Sequence, residues 1–168
     1  MKHQSLRQEL IDTALKMNDL GINQGAAGNL SFRAGGVFII TPSAMPYEQM
    51  RPDDLVEVSL ESGQVVCGGQ PSSEWRFHRD ILHARDDIDV VLHAHPVFCT
   101  ALACQRRGIP AFHYMVAVAG GKSIECADYA LFGTQALADH VLGALSDKNA
   151  CLMANHGMIA LGQNLFWN

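Results

Sequence analysis

The sequence contains no run of lysines or arginines, and its formal net charge is −5. Nucleic acid and anionic membranes are therefore poor partners, because binding either takes a basic stripe. An anionic small molecule is not excluded, since backbone N–H groups and hydroxyls bind phosphate without net positive charge. No CxxC pair occurs, and the five cysteines (Cys67, Cys99, Cys104, Cys126, Cys151) are odd in number. A fully paired disulfide framework is thereby excluded, and a reducing, cytoplasmic setting is expected. The start, "MKHQSLRQEL", lacks the apolar core of a signal peptide, and no apolar run reaches membrane-spanning length. Repeats, low-complexity tracts and linkers are also missing, so residues 1–168 read as one domain.

What is present is the composition of an ordinary globular chain, 48% hydrophobic and 17% charged, with enough length for a real core. Leu6, Leu10, Ile11, Ala14, Leu15 and Leu20 recur near helical spacing, with Gly21 as a stop. "GAAGNLSFR" and "GGVFIITP" predict a loop and two strands in a hairpin, and "DDLVEVSL" and "GQVV" two further strands. Serines precede an amphipathic stretch in "PSSEWRFHRDILHAR", as at a helix N-terminus. A strand over 88–95 leads at Pro96 into a helix toward Cys104. "IPAFHYMVAVAG" is predicted extended, "GTQALADHVLGALSD" helical, and "ACLMANHGMIALG" two short strands about a turn. Together these predict an α/β layered domain, a mixed sheet covered by helices.

Within the 88–95 strand, "VVLHAHP" carries His93 and His95 two residues apart, hence on one face. Alone, the pair is a weak signal, because buried imidazoles are commonly satisfied by nearby backbone. His156, in "MANHGMI", adds a third imidazole at a strand end. Three neutral imidazoles around one ion are the ligands of a catalytic zinc site, where a fourth position stays open. Spacing alone does not bring His156 to the other two. Glu74, at the start of a predicted helix, reads on its own as a carboxylate favoured by the helix dipole.

The ordered set "GNLSFR", "TPSAMPYEQ", "PSSEWRFHRDIL", "LHAHPVFCTALA", "IPAFHYMVAVAGG" and "NHGMIA" resembles the class II aldolase/adducin family along nearly the whole chain. The likeness is strongest to its members that cleave a ketose 1-phosphate. The resemblance implies a three-layer α/β/α sandwich with a mostly antiparallel central sheet. It implies one Zn2+ per subunit on His93, His95 and His156, with Glu74 as a possible fourth ligand and then acid/base. It assigns phosphate binding to Gly28, Asn29, Ser43, Ala44, Ser72 and Ser73. Tyr114 would reach a neighbouring subunit's site as a proton donor, in a fourfold-symmetric homotetramer with active sites at subunit interfaces. Each loop taken singly is also plain turn material, and Tyr114 also reads as a strand aromatic packed in the core. Trp75 and Phe77 read as packing residues.

The implied activity is reversible cleavage of L-fuculose 1-phosphate to dihydroxyacetone phosphate and L-lactaldehyde. Zinc would stabilise the enediolate by several kcal/mol, and burial would tune Glu74 toward neutrality as its base. No lysine lies in these motifs to form a Schiff base, so the metal route is favoured. Rival readings on the same scaffold are a pentulose-phosphate 4-epimerase, a sugar-phosphate decarboxylase or dehydratase, and a non-catalytic adducin-like interaction domain. Glu74, where the epimerases usually carry Asp, leans toward the aldolase. Two departures stand out. Ala44 occupies a position that is usually glycine, at a cost of about 1–2 kcal/mol if φ is positive there. The chain also ends at "GQNLFWN", before the helical C-terminal segment of such relatives, so an uncovered apolar face and weaker catalysis are expected.

Overall fold

Phe38 and Ile40 of one strand point one way and Ile39 between them points the other, and this parity divides the core in two. The computed structural model describes residues 3–165; the "FWN" ending lies outside the described residues. Among the described residues eight strands form one sheet: β1 (Asn29–Ala34), β2 (Val37–Ile40), β3 (Val56–Ser59), β4 (Val65–Cys67), β5 (Val90–Ala94), β6 (Cys126–Ala127), β7 (Ala150–Met153) and β8 (Gly157–Gly162). Their order is β4-β3-β2-β1-β5-β8-β7-β6. Every pairing is antiparallel except β6 with β7.

Helices α1 (Gln4–Asp19), α2 (Trp75–Ala84), α3 (Val97–Cys104) and α4 (Gln135–Leu145) complete the fold. Leu10, Ile11, Ala14 and Met17 make the buried stripe of α1 and pack with Leu30, Ile39 and Leu92. Gly21, at φ +67, follows the helix end, where an L side chain would be strained. Phe77 and Ile81 of α2, with Leu137 and Val141 of α4, pack with Phe38, Val91 and Ile159 of the opposite parity. Each such buried side chain contributes about 1.5–3 kcal/mol by leaving water. Phe77 is fully buried and Trp75 partly so, as their packing roles require. The Ser72 hydroxyl accepts the Glu74 N–H at 3.3 Å just ahead of α2, but the N-cap itself is Glu74, with no side-chain capping bond, so the serines precede the helix without capping it.

Two segments differ from the sequence expectation. Over Tyr114–Ala119 the chain forms a 3-10 turn, not an extended strand, and it ends at Gly120 with φ +89. Nor does Tyr114 pack in the core: it is 79% exposed. The two-residue β6 was not foreseen, because so short a strand has no periodicity to read. All five cysteines are unpaired. Among the described residues, no helix is long and apolar enough to cross a membrane. Near the end of the described chain, a groove of about 370 Å³ opens over β5 and β8, lined by Leu30, Leu92, Leu161 and Leu165 among others.

Candidate metal centre and active site

Strand β5 runs antiparallel to β8 with Ala94 opposite Met158, so the turn leading into β8 lies beside the end of β5. That turn carries His156. Asn155 adopts φ +58, a conformation asparagine tolerates better than most residues. A Cβ at Gly157 would stand 2.6 Å from the Ala94 carbonyl oxygen and 2.8 Å from the His95 ring. Only glycine lets the hairpin approach this closely. Ring centroids are 4.5 Å apart for His93 and His95, 4.8 Å for His93 and His156, and 5.3 Å for His95 and His156. One ring nitrogen from each lies within 4.8 Å of the others.

His93 is fully buried and donates from Nδ1 to the Met158 carbonyl at 2.9 Å, which turns Nε2 into the site. Phe77 packs edge-on against its ring at 5.7 Å. Glu74 enters from the start of α2, also buried, with Oε2 3.2 Å from His93 Nε2 and Oε1 3.4 Å from His156 Nε2. Yet Glu74 Oε1, His93 Nε2 and His95 Nδ1 have no hydrogen-bond partner. With Nδ1 carrying the hydrogen of a neutral His93, Nε2 presents a lone pair to a carboxylate, and two acceptors repel. Positive charge between them, either a proton or a divalent cation, removes the conflict. Three imidazoles and a carboxylate are a donor set that suits zinc.

Burial pushes the Glu74 carboxyl up, but its contacts with the His93 ring first, then with His156 and the Asn29 amide, hold it down at about 2. The expectation that burial tunes it toward neutrality is therefore not met: the imidazoles and the amide beside the carboxylate outweigh desolvation. His95 is lowered to about 4, by burial first and then by His93 and His156, and His156 is lowered for the same leading reason. Both imidazoles are thus neutral near pH 7, with lone pairs available for a metal.

Asn29 on β1 lies opposite His93, is buried, and donates from Nδ2 to Glu74 Oε2 at 2.9 Å. Its side chain is thereby turned to the carboxylate. At Gly28, a Cβ would fall 2.5 Å from the His93 carbonyl oxygen, so glycine is required by close approach. The "TPSA" and "PSS" loops run side by side: Ser43 N–H donates to Gln70 O, and Ser72 N–H to Thr41 O. What Ser43, Ser72 and Ser73 retain for an anion is chiefly hydroxyls. Ala44 has φ +55, the left-handed conformation that glycine would favour. The structure thus brings Glu74, Asn29 and the three histidines together, and joins the two serine loops. Tyr114 stands apart on its 3-10 turn, in contact with the His113 ring.

Sequence reasoning passed over His78 and Ser31. The ring of His78 is fully buried, with Nδ1 2.7 Å from Ser31 Oγ and Nε2 2.5 Å from Asn29 Oδ1. The available signal was spacing: Glu74 and His78 are four apart in a helical segment, and Asn29 and Ser31 two apart in a strand.

Comparison with known proteins agrees with this geometry. The model of the class II aldolase and adducin N-terminal domain matches residues 8–166. A 5-methylthioribulose-1-phosphate/5-deoxyribulose-1-phosphate aldolase of Rhodospirillum rubrum is 52% identical over 161 residues, 96% of this chain and 72% of that protein. An L-fuculose phosphate aldolase of Escherichia coli is 46% identical over 165 residues, 98% of this chain and 76% of that one. A solved L-fuculose 1-phosphate aldolase superposes with a TM-score of 0.93 at 40% identity, covering 98% of this chain and 78% of its own. The chain belongs to the class II aldolase and adducin family.

Proposed function

We propose that the chain is a zinc-dependent aldehyde-lyase that reversibly cleaves a ketose 1-phosphate. The supporting observation is the convergence of three imidazoles, one ring nitrogen of each within 4.8 Å of the others, beside Glu74, where the buried Glu74 Oε1, His93 Nε2 and His95 Nδ1 have no hydrogen-bond partner. His93, His95 and His156, with Glu74 as a fourth ligand at rest, would hold the zinc, which when bound would supply a Lewis acid for negative charge at the ketone oxygen. In the condensation direction, Glu74 takes the proton from the carbon that forms the new bond. Tyr114 of a neighbouring subunit gives a proton to the aldehyde oxygen, and cleavage runs both transfers backward. Gly28, Asn29, Ser43, Ala44, Ser72 and Ser73 hold the phosphate through hydroxyls and backbone N–H groups.

The tetramer belongs to the same proposal. Phe98, Phe112, Tyr114 and Val118 are 86%, 74%, 79% and 69% exposed, a large apolar display for a lone subunit. Reading the chain as one three-layer α/β/α domain also belongs here.

For the sugar, the first reading is L-fuculose 1-phosphate, giving dihydroxyacetone phosphate and L-lactaldehyde. The 52% identity to the methylthioribulose-phosphate aldolase favours a second, a 5-substituted ribulose 1-phosphate. Both give dihydroxyacetone phosphate and differ in the aldehyde half. A panel of these ketose phosphates, with and without chelator, and the Glu74→Gln variant test the proposal. We expect triose phosphate release that chelator abolishes and Glu74→Gln loses. Wild-type turnover in a Glu74→Gln protein of normal metal content would end the assignment.

A further inference from the structure

His78 has no part in the reaction just described, yet it is a fully buried polar ring with both nitrogens bonded. The direction of those bonds follows outward from Glu74. A carboxylate only accepts, so Asn29 must turn its NH2 to Oε2, as the 2.9 Å contact requires. The Asn29 carbonyl then faces His78, and since it too only accepts, His78 Nε2 carries the hydrogen. Burial holds His78 down at about 3, so the ring is neutral and its Nδ1 is bare. The Ser31 hydroxyl therefore donates to Nδ1. Four buried side chains form one file in which every donor points toward the carboxylate.

The local folds explain why they meet. Glu74 and His78 lie one helical turn apart, and Asn29 and Ser31 share one face of β1. The two pairs face each other. If the Asn29 amide rotated by half a turn, its carbonyl would confront the carboxylate and its NH2 the N–H of His78. With His78 in place, both ends of the amide are specified.

We propose that His78, oriented by Ser31, is a positioning residue for Glu74: it fixes the Asn29 amide, which tethers Oε2 and leaves Oε1 as the working oxygen. This rests on Glu74 being the site's acid/base, but part of its test does not. The variants are His78→Phe, which removes the donor, His78→Gln, which restores one, and Ser31→Ala. In cleavage of L-fuculose 1-phosphate, or of whichever ketose 1-phosphate of the panel turns over fastest, His78→Phe should lower kcat about ten- to a hundredfold with KM unchanged. His78→Gln should recover much of that loss, and Ser31→Ala should fall between. Bound zinc per chain should match the wild type in all three.

The second readout needs neither metal nor turnover. In metal-free protein, the side-chain amide protons of Asn29 should be protected from solvent exchange in the wild type and His78→Gln, and exposed to it in His78→Phe. Should His78→Phe fail to fold, Ser31→Ala against His78→Gln carries the same comparison. A kcat for His78→Phe equal to the wild type, a Gln variant as poor as the Phe one, or an Asn29 amide equally protected without His78 would each overturn the inference. If the wild type cleaves no ketose 1-phosphate, the proposed function falls, and the Asn29 amide still decides whether His78 positions it.

Discussion

Ala44 is an exposed residue held at φ +55, and replacing it with glycine should stabilise the protein. In the left-handed region an L side chain crowds the following carbonyl, at a cost of roughly 1–2 kcal/mol. Glycine removes that crowding but gives the unfolded chain more freedom, costing about 0.5–1 kcal/mol. An exposed methyl group takes little packing with it, so Ala44→Gly should gain about 0.5–1 kcal/mol net. For a chain of this length that raises Tm by about 1–4 °C, readable by calorimetry or by denaturant titration. Because the loop already adopts the left-handed turn with its Cβ present, the strain weighs on folding and not on anion binding. The KM for a phosphorylated substrate should therefore stay unchanged. A Tm that falls, or a markedly lower KM at unchanged Tm, would refute this reasoning.

Gly157→Ala should act on the site itself, since its new Cβ would meet the Ala94 carbonyl at 2.6 Å and the His95 ring at 2.8 Å. The hairpin must withdraw, and zinc affinity measured against a chromophoric chelator should drop roughly tenfold or more; unchanged affinity would mean that the hairpin yields elsewhere. His78 predicts a pH effect. Its ring is held at about 3 in the folded protein, against about 6.5 when unfolded, so between these values the unfolded chain binds the extra proton. Its stability loss thus begins as pH falls through about 6.5, reaches about 2 kcal/mol at pH 5, and levels off near 3. Denaturant titrations at pH 7 and 5 should show that much less acid destabilisation in His78→Gln than in the wild type, and equal slopes would contradict it. Phe77→Ala, which empties a fully buried position beside His93, should cost about 3–5 kcal/mol by chemical denaturation.

Much of this site was legible in the residues because regular periods carry it. His93 and His95 share a face at strand spacing, and "NHG" marks a turn whose glycine the structure requires. The departure at Ala44 was legible too, for the left-handed backbone is what a usual glycine signals. The meeting of His156 with the other two was not, since it depends on β5 pairing with β8 across more than sixty residues. "IPAFHYMVAVAG" misled because β-branched and aromatic residues favour strands where a partner exists, and among the described residues only Ile109 of this segment finds one, in a single bridge to Ile124. The direction of the Glu74 shift was not legible for a related reason: burial is legible in sequence, the groups that fold in beside the carboxylate are not. His78 went unnoticed because its partners come from a strand and a helix whose contact no local pattern encodes.

Zinc titration of chelator-treated protein, read by isothermal calorimetry and by mass spectrometry of the bound metal, tests the metal centre most directly. We expect one zinc per chain in the wild type, and binding at least tenfold weaker when any one of His93, His95 or His156 becomes alanine. A wild-type chain that binds no zinc, or a His156→Ala variant that binds it as tightly as the wild type, would contradict the shared site.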